Sequence, residues 1–167
     1  MFWVYAPAAL AACIVWCAYS HWKARQPWPD FGGKVSTLTS EAEWVELVET
    51  AAAKKRLILV DCYAHWCPPC RRAAPVFAKM SEEYASNVIF AKVDVDKAPE
   101  LSAIFGVRVL PTFKLFRSSP MTPVQVIGAP RSGGLSELAS LRGWDEHGVR
   151  HQLEVHGARP ARLEELE

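Results

Sequence analysis

Two cysteines separated by two prolines, Cys67 and Cys70, are the residues whose type and spacing best suit chemistry. The apolar run Leu57-Ile58-Leu59-Val60 precedes them and helix formers follow from Arg71, so the pair falls where a buried strand gives way to a helix. There the unpaired N–H groups and the positive end of the helix dipole favour a thiolate, which makes Cys67 a nucleophile. Pro68 and Pro69 cost little at such a position, because first-turn N–H groups have no intrahelical partner, and they stiffen the loop. Arg71 and Arg72 bring further positive charge, and Cys70 is near enough to resolve a mixed disulfide. A C-x-x-C pair can also belong to a zinc site. Zinc needs four ligands, however, and the only further candidates are the adjacent His65 and distant histidines near the C-terminus. Ligand count favours dithiol chemistry, with no metal.

The elements that must position this loop can be read on either side of it. Val35 to Leu38 is a short strand-like run. Thr39 or Ser40 can cap a helix with Glu41 and Glu43 in its first turn, and Trp44, Leu47, Val48 and Ala51 recur at helical spacing to about Lys54. Leu57 to Ala64 reads as a central strand covered on both faces. A helix from Arg71 to Tyr84 carries Ala74, Phe77 and Met80 on one side, and Pro75 predicts a kink in it. Val88 to Val95 reads as a strand, and Pro99 to Phe105 as a short helix that Gly106 can end. Thr112–Phe116 and Val124–Ile127 read as two strands joined by a short hairpin connection, and Gly134–Leu141 as a last helix. The order is β-α-β-α-β-α-β-β-α, an α/β arrangement with a mixed sheet, parallel at first and closed by an antiparallel hairpin, with helices on both faces. Residues 143–167 are polar, with alternating charges, and are expected to be a disordered tail.

The N-terminal end has a different character. Met1 to Ser20 carries no charged side chain. A twenty-residue helix at about 1.5 Å per residue reaches roughly 30 Å, the hydrocarbon thickness of a bilayer. Residues 1–22 are therefore expected to be a single-pass membrane anchor, flanked by interfacial aromatics such as Trp3 and Trp22. A cleaved signal peptide, a lipid-attachment box at Leu10–Cys13 and a buried helix are the competing readings. Lys23 and Arg25 follow the span, which predicts a catalytic domain on the cytoplasmic or equivalent side. Residues 23–34, with Pro27, Pro29, Gly32 and Gly33, read as a linker. The net charge of +1, with acids and bases interleaved, gives no footprint for nucleic acid. Cys13 and Cys17 lie at i, i+4 in the expected anchor and read as small apolar residues, with acylation or an inter-chain disulfide as alternatives. His147 and His151 share that spacing in the expected tail and read as solvated.

Over about Val35 to Leu141 the chain resembles the thioredoxin family. The matching pieces are Val60-Asp61, Trp66-Cys67-Pro68-Pro69-Cys70-Arg71, Pro75, Ala91-Lys92-Val93-Asp94, Phe105-Gly106-Val107-Arg108-Val109-Leu110-Pro111-Thr112-Phe113, and Gly128. The resemblance implies a thioredoxin fold, with Cys67 as attacking nucleophile, Cys70 as resolving thiol and Pro111 as a cis-proline facing the disulfide. It implies that Asp61 is a buried carboxylate taking the Cys70 proton through water, with Lys92 as its partner. A desolvated acid whose pKa is raised toward neutrality suits that task. Trp66, Leu110 and Gly128 would line the groove for a substrate peptide. The implied reaction is reduction of protein disulfides, with no cofactor in the chain and a reductase or dithiol as electron donor. The loop departs from the family's common Cys-Gly-Pro-Cys, and Cys62 stands where a bulky apolar residue is usual. The rival function is a membrane-tethered adaptor or chaperone module on the same fold.

Overall fold

Seven consecutive buried residues, Leu57–Tyr63, form the strand around which the domain is built. The computed structural model describes residues 6–24, 28–126 and 129–161. In chain order the elements are α1 (Ala6–Ala24), β1 (Val35–Leu38), α2 (Glu41–Lys54), β2 (Leu57–Tyr63) and α3 (Pro68–Glu83). They continue with β3 (Val88–Asp94), α4 (Pro99–Ile104), β4 (Thr112–Val126), β5 (Ala129–Arg142) and α5 (Glu146–Val155). The five strands lie in the order β1-β3-β2-β4-β5. β1, β3 and β2 run parallel, and β4 and β5 are antiparallel to their neighbours. This is the mixed α/β sheet that the pattern of apolar runs predicts.

Strand alternation divides the core in two. Ile58, Val60 and Cys62 of β2 face one layer, where Trp44 of α2 lies fully buried among Leu101, Phe105 and Phe116. Leu57 and Leu59 face the other, packed with Phe77 and Met80 of α3 and with Val149 and Leu153 of α5. α2 begins as expected: the Ser40 hydroxyl accepts the Glu43 N–H at 3.3 Å, and the Glu43 carboxylate accepts the Thr39 N–H at 2.6 Å. α3 runs continuously through Pro75.

Three expectations are corrected, and the membrane anchor finds no support among the described residues. Gly134–Leu141 is strand, not helix: β4 continues to Val126, and β5 pairs with it from Ala129 to Arg142. Leu135, Leu138 and Leu141 mimic a helical stripe. The open edge of β4 offers this segment a hydrogen-bonding ladder, and a register shift between Leu115 and Phe116, which skips Leu138, accommodates the apolar residues. The tail expected to be disordered holds the last helix. Val149 and Leu153, four residues apart on α5, are both buried, and Arg150 ties the helix to α3 through Glu83 at 2.6 Å. Two apolar residues on one narrow face are too sparse a pattern to read without their partner surface. At the N-terminal end, no helix among the described residues is long and apolar enough to cross a membrane. α1 has seven alanines among its 19 residues, and Ser20, His21 and Lys23 fall in its final turns. Lastly, part of the expected linker is packed on the domain, as described below.

Candidate active site

The turn from β2 into α3 brings the paired cysteines to the helix N-terminus. Cys67 is the N-cap residue, Pro68 and Pro69 occupy the first turn, and the Cys67 Sγ accepts the Cys70 N–H at 3.3 Å. The two sulfurs are bonded in a disulfide. Both residues are buried, Cys67 at 2 % exposure and Cys70 at 0 %. Oxidised, the pair leaves only a small target; a thiolate formed on Cys67 would keep the helix N-terminus beneath it.

Asp61 lies six residues before Cys67 on the strand that leads to it. Alternation along β2 turns it away from Cys62 and toward α3, where it is 3 % exposed and its Oδ1 has no hydrogen-bond partner among the described residues. Burial pushes its pKa up to about 7, against a smaller opposing pull from Lys92. Lys92 is its direct partner across β2 and β3. The two residues border one cavity of about 20 Å³, room for about one water. Asp61 thus lies on the strand that leads to the dithiol, its pKa raised by burial, beside a cavity with room for about one water.

On the outer side of the cysteines, a groove of about 390 Å³ is bordered by Trp66, Pro68, Val95, Val109 and Leu110. Trp66 is 58 % exposed, and its Nε1 donates to Asp96 Oδ2 at 2.8 Å. The Leu110–Pro111 peptide is cis, and Leu110 packs against the cysteine cluster while Pro111 is itself buried. Cys67, Trp66 and Leu110 thus border one groove, and Asp61 and Lys92 border a separate small cavity whose wall includes Trp28, a residue that itself packs on Cys67 and Cys70.

Gly128 lies outside the described residues. The glycine that follows the last strand is Gly143, whose φ of +80° suits a residue without Cβ and whose N–H donates to the Pro111 carbonyl at 2.8 Å. Because the β4–β5 hairpin is longer than expected, the matching position falls fifteen residues further on. Asp96 was also missed; its signal was only an acid shortly after the Ala91–Asp94 strand. Cys62 faces the opposite core layer, where burial and then the Asp61 charge push its thiol pKa up strongly, so it is inert as a nucleophile at neutral pH. His65 Nε2 lies 3.2 Å from Asp94 Oδ2 without the alignment of a hydrogen bond. Among the described residues no three His, Cys, Asp or Glu side chains gather to hold a metal ion.

Trp28, expected in a linker, packs against the cluster formed by Tyr63, Ala64, Cys67 and Cys70. Its ring lies 4.4 Å from that of Tyr63 and 5.5 Å from that of His65, centroid to centroid. The Arg71 guanidinium stands 5.4 Å over it, and Arg71 Nε also donates to the His65 carbonyl at 3.1 Å. Two aromatic residues, Trp28 and Phe31, inside a stretch of turn formers were the signal that this segment is not a free tether.

The family model for thioredoxin matches residues 35–140. Thioredoxin H5 of Arabidopsis thaliana is 38 % identical over 99 residues, covering 59 % of this chain and 82 % of that protein. Thioredoxin domain-containing protein 8 of Rattus norvegicus is 36 % identical over 126 residues, covering 72 % of this chain and 97 % of that protein. Among solved structures, Fasciola hepatica thioredoxin superposes with a TM-score of 0.57 at 30 % identity, covering 72 % of this chain and 98 % of that one. A poplar thioredoxin h mutant superposes with a TM-score of 0.63 over 79 % of this chain and 90 % of that one; at 23 % identity that likeness concerns the fold.

Proposed function

Because the chain belongs to the thioredoxin family of thiol–disulfide oxidoreductases, we infer that it reduces protein disulfides through Cys67 and Cys70. The observation that carries this reading is the pairing of a helix-capping Cys67–Cys70 dithiol with a buried Asp61 on the strand leading into it. Once the pair is reduced, the Cys67 thiolate attacks a substrate disulfide, forming a mixed disulfide and releasing one substrate thiolate. Cys70 gives its proton toward Asp61 and attacks the Cys67 sulfur, which breaks the mixed disulfide and releases the second substrate thiolate. The enzyme is left as the Cys67–Cys70 disulfide, and an external dithiol or a reductase restores it. Trp66 and Leu110 border the groove in which a substrate peptide would lie.

Net reduction, and not oxidation, is supported by the Asp61 carboxyl and by prolines in place of a histidine between the cysteines. The expected reduction potential is about −270 mV, characteristic of thioredoxins, and not about −120 mV, characteristic of strong oxidases. The test is turnover of insulin disulfides by the full chain with dithiothreitol as donor. Wild type should accelerate reduction, Cys67→Ser should give only the background rate, and Cys70→Ser should accumulate a mixed disulfide on Cys67. Background rate from a folded wild-type chain whose dithiol still cycles would sink the general reductase reading.

A further inference from the structure

The segment before β1 is built into the rear wall of the active site, and it is held at both ends. At its start Trp28 is wedged among Tyr63, His65 and Arg71 and packs on the cysteine cluster. At its end Gly33 lies flush against α3. Its φ is +79°, and a Cβ there would stand 2.6 Å from the Ala78 carbonyl oxygen and 2.7 Å from Ser81 Oγ. The next residue, Lys34, donates its N–H to Ser81 Oγ at 2.7 Å, and that hydroxyl donates to the Ala78 carbonyl at 2.5 Å. Between the two attachments Asp30 Oδ1 accepts the Gly32 N–H at 2.9 Å, so this carboxylate is engaged within the segment. The cavity that borders Asp61 and Lys92 is walled on its outer side by Trp28, Phe31 and Gly32. β1 (Val35), β2, β3 and α3 supply the rest.

We propose that residues 28–34 form a strap that closes the Asp61 cavity to bulk water, and that Trp28 is the positioning residue that keeps it closed. The proposal rests on the reading of Asp61 as acceptor of the Cys70 proton, and it adds a control on that acceptor from outside the sheet. Physical necessity supports it. A carboxyl stays protonated near neutrality only while its ionised form is poorly solvated. Among the described residues, few charges face Asp61. β3 supplies Lys92, which favours ionisation. β2 supplies the Tyr63 phenol, itself pushed up to about 12 by burial and then by Asp94 and Asp61. α3 supplies only the uncharged Ala74, Phe77 and Ala78. β4 places Phe113 opposite Asp61, and the neighbouring Lys114 is paired with Glu137 at 2.8 Å. The strap brings aromatic rings and backbone, with Asp30 at its outer rim. Water exclusion by the strap is therefore the main influence opposing Lys92 that a single substitution outside the sheet can remove.

The test follows the Asp61 carboxyl directly by ¹³C NMR across pH in the reduced full chain, beside single-turnover resolution of a trapped mixed disulfide. Wild type should show an inflection near pH 7 in both. In Trp28→Ala the carboxyl inflection should fall by about one pH unit or more, toward the ordinary carboxylate range, and the resolution profile should move with it. Trp28→Phe should restore most of the shift. Gly33→Ala, which lifts the strap from α3 without changing a side chain at Asp61, should reproduce the Trp28→Ala shift and decides the matter if Trp28→Ala does not fold. An unchanged Asp61 inflection in a folded Trp28→Ala or Gly33→Ala chain overturns the proposal. If the carboxyl inflection moves while resolution does not, the strap stands and Asp61 is not the acceptor of the Cys70 proton.

Discussion

At Asp61 two effects of opposite sign meet, and burial wins. The carboxyl ordinarily titrates at 3.8, and burial raises it to about 7 despite Lys92. Folding therefore favours its protonated form. Its contribution to stability is fully present below about pH 4, declines as the unfolded chain ionises and the folded one does not, and is lost above about pH 7. A shift of about three pH units corresponds to roughly 4 kcal/mol as an upper figure. Asp61→Asn should accordingly stabilise the chain by on the order of 3 kcal/mol at pH 8 and by nearly nothing at pH 4, checked by urea unfolding at the two pH values. The same substitution should slow resolution of the mixed disulfide near neutrality. An acid kept at this cost is better explained by proton transfer than by packing, since an apolar residue would fill the site without the penalty.

The elements show how local pattern and tertiary contact share the decision. α2 declares itself through its cap residues and a dense apolar face. α5 does not, because only Val149 and Leu153 of its ten residues are buried. What holds it is the surface it lands on: Phe90 and Phe113 on the sheet, Glu83 on α3, and the Ala161 N–H donating to the Glu83 carbonyl at 2.6 Å. Leu153 is completely buried, so Leu153→Ala should destabilise the domain by about 3 kcal/mol, read as a lower urea midpoint with unchanged slope. A loss near zero would mean that α5 is not part of the cooperative unit. β5 makes the same point in reverse: its leucines fit a helical spacing, and the free edge of β4 overrides it.

Across the whole molecule, order should decline outward from β2. That strand is buried on both faces and hydrogen-bonded on both sides, by β3 and β4. β1 is an edge strand with only Leu38 buried. Amide hydrogen exchange should be slowest in β2 and β3 and several orders of magnitude faster in β1, with the exchange free energy of β2 approaching that of global unfolding. Comparable protection in β1 and β2 would contradict this hierarchy. The redox loop is carried at the end of β2, so the most protected strand also supplies the frame for the cysteines and Asp61.

The family, the paired cysteines at a strand-to-helix junction, the central strand, the cap of α2 and the elements from β1 to α4 were legible without coordinates. Each is written in neighbouring residues: paired cysteines at a strand-to-helix junction, an unbroken apolar run, a hydroxyl before acidic first-turn residues. The tertiary structure alone decided features that depend on residues far apart in the chain. It made a strand of Gly134–Leu141 because β4 offered it hydrogen bonds, and it folded residues 146–155 because α3 and the sheet offered a surface. It set Gly143 against Pro111 and laid Trp28 over the cavity behind the cysteines. Local sequence encodes what neighbouring residues prefer; the outcome where that preference is weak is fixed by whatever distant surface is left unsatisfied.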